Sequence, residues 1–308
     1  MPELPDVTVY VESIAARVAG QPLRAVRVAS PFVVRTFDPP LSAAAGQRVL
    51  EVRRLGKRIV FVLENGLFLV IHLMIAGRFR WAEAGAKIPG KVGLAALDFP
   101  SGTLLLTEAA SKKRASIHLA RSLDEFRRGG IEPLECTTEE FEAALRRENH
   151  TLKRALTDPR LFSGIGNAYS DEILHRAKLS PALLTQRMSS DDARALFEAT
   201  RAILTGWTNR LREESRERFP EKVTAFRDDF AVHGKYKKPC PVCGTAVQRI
   251  AYADNETNYC PRCQTGGKLL SDRSLARLLH DDWPRTIEEL EERFPGPRKP
   301  GQEPGRRR

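Results

Sequence analysis

Residues 58–72 read RIVFVLENGLFLVIH, two apolar runs joined through Asn65-Gly66. An Asn-Gly pair between two such runs is typical of a β-hairpin. A second hairpin is predicted where Leu94–Phe99 and Thr103–Thr107 flank a Pro-Ser-Gly turn. Short apolar runs rich in Val, Ile and Leu continue from about Leu23 to His118. This succession of short strands predicts a β-sandwich or a β-barrel.

Helical spacing is found on both sides of the β region. Apolar residues recur at helical intervals over Val7–Val18. After about Ser122 the pattern is helical again, and Thr137-x-x-Glu140 forms a capping box that opens a helix. Three more helices are predicted, with a tight glycine turn at residues 163–167 before the second of them: Leu152–Thr157, Ala168–Lys178 and Asp191–Arg212.

Four of the five cysteines lie in two CxxC pairs separated by sixteen residues. This spacing brings four thiolates around one Zn²⁺ in tetrahedral geometry. The alternative, a pair of disulfides, needs an oxidising compartment, which nothing in the sequence indicates. Because every ligand position is filled, the metal is expected to be structural. The predicted ligands are Cys240, Cys243, Cys260 and Cys263.

The chain is basic, with 50 Lys and Arg against 39 Asp and Glu, a net charge of +11. Such a balance favours a polyanionic partner such as nucleic acid, although a basic enzyme with scattered lysines is the alternative. The glycine turn fits the first interpretation, because backbone N–H groups at a helix start bind anions. Asn167 at that start is a candidate for phosphate binding or for the helix N-cap.

No apolar run reaches the roughly 18 residues that span a bilayer. The acidic, proline-marked start is unlike a secretion signal. We therefore expect a soluble cytoplasmic protein associated with the nucleoid. Residues 271–294 look helical with a break at Pro284, and residues 295–308 are predicted to be a disordered basic tail.

The first residues suggest a nucleophile. Met1 precedes a small residue and should be removed, which leaves Pro2 with a free secondary amine. An α-amine has a pKa of about 7.7–8.0, so a useful fraction is neutral at pH 7 and can attack a sugar C1′. Glu3 beside it is a candidate general acid or base. The alternative is an ordinary terminal Pro-Glu pair.

Four features in register resemble the formamidopyrimidine-DNA glycosylase/endonuclease VIII family over residues 1 to about 264. They are Pro2-Glu3-Leu4-Pro5-Asp6-Val7, Lys57, the segment GIGNAYSDE at residues 164–172, and the spacing of the four cysteines. The resemblance implies an α+β fold: an N-terminal β-sandwich plus a C-terminal helical helix–two-turn–helix domain with a zinc-ribbon finger. The implied domains are residues 1–125, 126–235 and 236–266, followed by an extension at 267–308.

The resemblance also implies a bifunctional DNA glycosylase and AP lyase of base excision repair. Pro2 would attack C1′ and form a Schiff base, Glu3 would move protons, and β,δ-elimination would nick the strand. Lys57 and Asn167 would hold phosphates around the lesion. The implied partner is damaged double-stranded DNA, with abasic or single-stranded DNA as further candidates, and the implied cofactor is one structural Zn²⁺. We expect a monomer.

The chain departs from the family pattern at three places, none of which affects the amine chemistry. Asn255 stands where the family has an arginine that clamps a phosphate in the zinc hairpin. Ile75, with Met74 beside it, stands where the family has the methionine that fills the gap of the flipped base. The segment 108–116 lacks the family's DPRRFG-like loop.

The loop that replaces it keeps three basic residues as candidate phosphate contacts, the alternative being a solvated basic loop: Lys112, Lys113 and Arg114. These departures leave two alternatives to the glycosylase. One is an AP lyase with a narrowed or single-stranded substrate range, and the other is a non-catalytic protein that binds damaged DNA.

Overall fold

The computed structural model describes residues 1–221, 227–252, 255–270 and 284–293. The helices are α1 (Leu4–Val18), α2 (Thr138–Arg146), α3 (Leu152–Thr157), α4 (Asn167–Arg176), α5 (Ser190–Glu214), α6 (Pro261–Thr265) and α7 (Ile287–Arg293). The strands are β1 (Ala25–Val28), β2 (Val49–Leu55), β3 (Arg58–Leu63), β4 (Phe68–His72), β5 (Gly77–Ala82), β6 (Gly93–Phe99), β7 (Gly102–Glu108), β8 (Ser116–Ala120), β9 (Gln248–Tyr252) and β10 (Asn255–Tyr259). The predicted tail at 295–308 and most of the predicted helix at 271–294 lie outside the described residues.

Strands β1–β8 form two four-stranded antiparallel sheets, in the orders β1-β6-β7-β5 and β2-β3-β4-β8. Both predicted hairpins are confirmed, as β3–β4 and β6–β7. In the first, Gly66 takes a φ of +79° and closes the loop after Asn65. The two sheets face each other, so the structure confirms the β-sandwich rather than the barrel.

The apolar run of β3 is continuous because the strand is buried on both faces. Its odd-numbered residues, Ile59, Phe61 and Leu63, belong to the core between the sheets. Val60 points the other way, into a small cluster with Leu123 and Phe126. The alternation follows from the two-residue period of a strand.

Helix α1 joins the two halves of the molecule. Val7, Tyr10 and Ile14 are buried in the core of the sandwich. Leu4, one turn earlier, is buried instead in the core formed by α2–α5. The start of the chain is therefore held at the boundary between the sandwich and the helical half.

The helical half begins where the sequence predicts. Thr137 and Glu140 form the capping box of α2, with Glu140 N donating to Thr137 Oγ1 at 3.2 Å. Strands β9 and β10 form an antiparallel hairpin between the cysteine pairs, and β10 lies against α4. In the part of the chain that the structure describes, no helix has the length and apolar character needed to cross a membrane.

Candidate active site

The Glu3 carboxylate caps α4 from another part of the chain. It accepts hydrogen bonds from the backbone N–H groups of Gly166 at 2.6 Å, Ala168 at 2.9 Å and Tyr169 at 3.2 Å. A carboxylate is stabilised there because the first N–H groups of a helix have no partner within the helix. Gly166 is the N-cap residue, so of the two roles considered for Asn167 the N-cap is wrong. Glu3 supplies the acceptor that the glycine lacks.

Glycine at position 166 allows the Glu3 carboxylate to approach the start of α4, because no Cβ stands between them. A Cβ on Gly166 would lie 2.5 Å from Glu3 Cδ and 2.6 Å from Lys57 Nζ. Gly164 has a φ of +83°, and its carbonyl accepts a hydrogen bond from Leu4 N at 2.9 Å. The turn, the start of α1 and the lysine after β2 therefore meet at one point.

Burial shapes the chemistry of the amines at this point. Pro2 and Glu3 are buried, and Met1 is half-buried. Burial lowers the pKa of the Met1 α-amine, while Glu3 opposes the shift and Arg78 adds to it. Burial also lowers the pKa of Lys57, again against the influence of Glu3. Both amines are shifted toward the neutral form that acts as a nucleophile.

Residues Met74 and Ile75 lie at the same end of the sandwich as Lys57. Arg58 pairs with His72 across β3 and β4, so the turns before β3 and after β4 are neighbours. Met74 is half-buried with a φ of 52°, and Ile75 is 55% exposed. Of these two candidates for filling the gap of the flipped base, Ile75 is therefore the more exposed.

The basic loop at residues 109–115 is folded back on the end of β7. The Glu108 carboxylate accepts hydrogen bonds from Arg114 N at 2.8 Å and Ala115 N at 3.0 Å. The Lys113 ammonium donates to the Glu108 carbonyl. Lys112 and Arg114 have exposed side chains, whereas Lys113 is half-buried by this contact. The loop leads into β8, whose first residue pairs with the end of β4 beside Lys57.

Asn167 connects the glycine turn to the zinc hairpin. Its side-chain amide donates to the backbone carbonyl of Glu256 at 2.7 Å. The hairpin strand β10 is thereby held against the start of α4. Asn255 begins that strand, opposite Tyr252.

Two buried acids on α4 were missed by the sequence analysis. Asp171 accepts from Lys153 Nζ at 2.5 Å and from Asn258 N at 3.1 Å, and lies 2.8 Å from His233 Nδ1. It joins α3, β10 and the segment before the zinc finger. In the sequence these acids appear as the run Ser170-Asp171-Glu172 in the predicted helix after the glycine turn.

The neighbouring acid, Glu172, fixes the same segment through its backbone. Its carboxylate accepts from the N–H groups of Ala231 at 2.8 Å, Val232 at 2.9 Å and His233 at 2.9 Å. Burial raises the pKa of Glu172, and the three N–H donors oppose that shift. Both acids act on architecture rather than at the chain start.

A cavity of about 680 Å³ opens between α1, β5 and the end of α5. Asp6 and Arg227 line it and form an ion pair at 3.3 Å. Burial raises the pKa of Asp6 to about 6. Phe219 and Trp81 also line the cavity, with ring centroids 6.5 Å apart, and Phe219 belongs to the sandwich core.

The four predicted zinc ligands converge. Their sulfur atoms lie within 4.8 Å of one another, with Cys240 and Cys263 3.9 Å apart and Cys243 and Cys260 3.4 Å apart. Four thiolates at Zn–S distances of about 2.3 Å in a tetrahedron lie about 3.8 Å from each other, so the arrangement fits Zn²⁺. His175 Nε2 lies 3.3 Å from Cys240 Sγ and adds an outer contact from α4. The prediction of one structural zinc ion is confirmed.

Models of known families match the chain in the order of its structural parts. The formamidopyrimidine-DNA glycosylase N-terminal domain matches residues 1–121, and the helix–two-turn–helix (H2TH) domain of the same enzyme matches residues 130–211. A zinc finger found in FPG and IleRS matches residues 237–266. The sandwich, the glycine turn and the four-cysteine centre thus define a zinc-finger-containing DNA glycosylase.

The chain belongs to the formamidopyrimidine-DNA glycosylase family. The formamidopyrimidine-DNA glycosylase of Thermus thermophilus is 34% identical over 276 residues, which is 87% of this chain and 100% of that protein. The same enzyme of Solibacter usitatus is 32% identical over 275 residues, 86% of this chain and 99% of that protein.

Solved structures agree with this membership. A complex of the LlFpg protein with THF-DNA and an inhibitor matches with a TM-score of 0.76 at 26% identity, covering 86% of this chain and 100% of that chain. The MutM (Fpg) protein from Thermus thermophilus matches with a TM-score of 0.73 at 33% identity, covering 85% and 98%. The predicted family and the predicted α+β fold are confirmed.

Proposed function

We propose that this protein excises damaged bases from DNA through the amine of Pro2 and then cleaves the strand at the resulting abasic site. It is a DNA glycosylase of base excision repair, and AP lyase activity is typical of its family. The observation that carries the proposed chemistry is the Glu3 carboxylate, held by three backbone N–H groups beside the chain start and Lys57.

The first step is an attack of the Pro2 nitrogen on C1′ of the deoxyribose. Removal of Met1 frees this nitrogen, and the burial that lowers the pKa of the Met1 amine favours the neutral form of an amine there. The N–C1′ bond forms as the bond to the base breaks, and the departing base takes up a proton from water. The Glu3 carboxylate accepts the proton that the Pro2 nitrogen loses and passes it to the ring oxygen. The bond from C1′ to that oxygen then breaks, and the opened sugar is held as an iminium.

Elimination then follows from the same intermediate. Loss of a proton from C2′ expels the 3′ phosphate, and a second elimination expels the 5′ phosphate. Glu3 is placed to shuttle these protons because its oxygens are fixed by α4 while it stays next to the amine. Lys57 and Asn167 are proposed to bind the flanking phosphates, which are drawn to cations and to a helix start.

The remaining predicted residues are proposed to act on the DNA itself. Ile75, with Met74 beside it, fills the space that the displaced base leaves. The cavity beside Asp6 receives that base. Lys112 and Arg114, with Lys113 supporting the loop, contact phosphates. Zinc binding holds β9 and β10 in place. We propose that the protein works in the cytoplasm on damaged DNA of the nucleoid.

Borohydride trapping tests the amine. We expect the wild-type protein to give a covalent adduct with an abasic duplex and with an oxidised-base duplex. The adduct should be lost in Pro2→Gly and strongly reduced in Glu3→Gln. Peptide mapping of the adduct distinguishes Pro2 from Lys57, a nearby amine whose pKa is lowered by burial. Intact mass shows whether Met1 has been removed.

The same assay separates the alternatives. Binding without any adduct on all substrates identifies a non-catalytic damaged-DNA-binding protein. An adduct on abasic DNA alone, with no release of an oxidised base from duplex, identifies the narrowed AP lyase. An adduct that maps to Lys57 refutes Pro2 as the nucleophile.

A further inference from the structure

Phe32 is a large apolar side chain held in solvent by a fixed backbone. It is 82% exposed, in a single turn of 3₁₀ helix at Pro31–Val33. Its neighbour Val33 is 2% exposed and belongs to the sandwich core. Ser30 N donates to Leu94 O at 3.1 Å, so the turn is tied to the sheet on that side. The backbone on both sides of Phe32 is therefore fixed in a conformation that exposes its side chain.

The turn lies at the rim of the sandwich that carries the basic loop. Arg35 N donates to Ile117 O at 2.9 Å, and Val34 forms a parallel bridge with the same residue. Since the two segments run in the same direction, Phe32 precedes this bridge on the side of residue 115. That is the side from which the loop with Lys112 and Arg114 enters β8.

This rim is also the rim of the candidate active site. The first residue of β8, Ser116, pairs with His72, and His72 pairs with Arg58 next to Lys57. One end of the sheet β2-β3-β4-β8 therefore carries all of these groups: the exposed ring of Phe32, the two exposed cations of the loop and Lys57.

Proteins bind single-stranded or unpaired nucleotides through exposed aromatic rings with cations beside them. The ring stacks on a base and the cations bind the flanking phosphates. Flipping a damaged base out of a duplex leaves a base without its partner. We propose that Phe32 stacks on an unpaired base of the bound DNA, with Lys112 and Arg114 binding the phosphates beside it. This inference rests on the proposed function, because DNA is the ligand.

The chain supplies a matched control in Phe37. It is 90% exposed and belongs to the same segment. It lies three residues beyond Val34, about 10 Å further along at 3.3 Å per residue. There it is next to the ion pair between Asp38 and Arg121 at 2.9 Å, away from the rim. Both rings are more than 80% exposed, and the two residues differ in position.

Binding to a duplex with a tetrahydrofuran abasic analogue tests the proposal. We expect Phe32→Ala to weaken the Kd by about 5- to 150-fold, the range of one base–aromatic stack. Phe37→Ala should bind as the wild type does. Phe32→Leu keeps apolar volume without a π face and should remain weak. Equal affinities of Phe32→Ala and wild type, or full recovery by Phe32→Leu, would overturn the stacking role.

A spectroscopic signature separates stacking from a general loss of affinity. Stacking on a base quenches tryptophan emission, so Phe32→Trp should be quenched by the same duplex. Phe37→Trp should not be quenched, with the signal of wild-type protein subtracted from both. Quenching of both variants, or of neither, contradicts the proposal.

Failure of this inference is distinguishable from failure of the proposed function. Borohydride adduct formation by the wild-type protein on an abasic duplex depends on the amine of Pro2, and Phe37→Ala, outside the proposed stacking site, should give the same adduct yield. If the wild-type protein forms no adduct, the proposed chemistry fails, while quenching in Phe32→Trp still decides whether Phe32 contacts a base.

Discussion

Replacing Gly166 with alanine adds one methyl group between the two side chains that define the candidate active site. The new Cβ would lie 2.5 Å from Glu3 Cδ and 2.6 Å from Lys57 Nζ. Non-bonded carbon contacts are comfortable at about 3.5 Å or more, so at least one side chain must move by about 1 Å. The backbone itself is not strained, because a φ of −134° suits alanine as well as glycine.

Misplacement of a reacting group by about 1 Å costs on the order of 100-fold in rate. We therefore expect Gly166→Ala to form the borohydride adduct on abasic duplex about 100-fold more slowly in single-turnover assays. Gly206→Ala is the matched control. Gly206 lies within α5 with open space around its Cα, and alanine there should leave the rate unchanged and stabilise the helix by up to about 1 kcal/mol.

Thermal unfolding and zinc content show whether each variant is folded. A folded Gly166→Ala protein that forms the adduct at the wild-type rate would refute the role given to Glu3 and Lys57. A loss of rate that Gly206→Ala shares would point to a general effect on the helical half instead.

Three further perturbations follow from the same structure. The pKa of Asp6 is raised from 3.8 to about 6, so the folded state binds the proton of this carboxyl more tightly than the unfolded state does. The free energy of unfolding should therefore fall by about 3 kcal/mol as pH rises from below 4 to above 6. Urea titrations should show this decrease in the wild type and not in Asp6→Asn. Asp171→Asn removes the charge that Lys153 faces at 2.5 Å and should cost about 3–5 kcal/mol in the same titration, whereas an unchanged midpoint would show that the pair is not needed. Zinc should be present at about one ion per chain, and its removal by a chelator or by Cys240→Ser should lower both the melting temperature and the affinity for abasic duplex; intact affinity without metal would contradict the structural role.

Local signals in the sequence predict those parts of the fold that local residues decide. The Asn65-Gly66 hairpin and the capping box at Thr137 depend on residues only a few positions apart, and both form as expected. The cysteine pairs are equally local, since each CxxC knuckle forms within four residues.

Local signals do not predict contacts between residues that are far apart in the sequence. Glu3 caps a helix whose N-cap residue is 163 positions away, and no spacing rule connects the two. For that reason the sequence offers Asn167 as the candidate cap, whereas the cap residue is Gly166. The helix has a cap only because the folded chain brings a carboxylate from elsewhere.

Phe219 illustrates the same limit for packing. It follows α5, in a segment that the sequence places with the helical half, yet its ring is buried with Tyr10 of the sandwich core at a centroid distance of 5.8 Å. Helical periodicity describes which face of an element is apolar, but not which neighbour covers it. The buried acids of α4 were missed for this reason as well, because their partners come from α3, β10 and the segment at 231–233.

The division of α1 between two cores has a consequence for how the enzyme is assembled. Leu4 is anchored among the helices and Val7 among the strands, so less than one helical turn separates the two anchors. Lys57 belongs to the sandwich, whereas the backbone N–H groups that bind Glu3 belong to the helical half. A hinge-like separation of the halves would therefore move Glu3 away from Lys57, and the proposed chemistry needs both side chains at the same sugar.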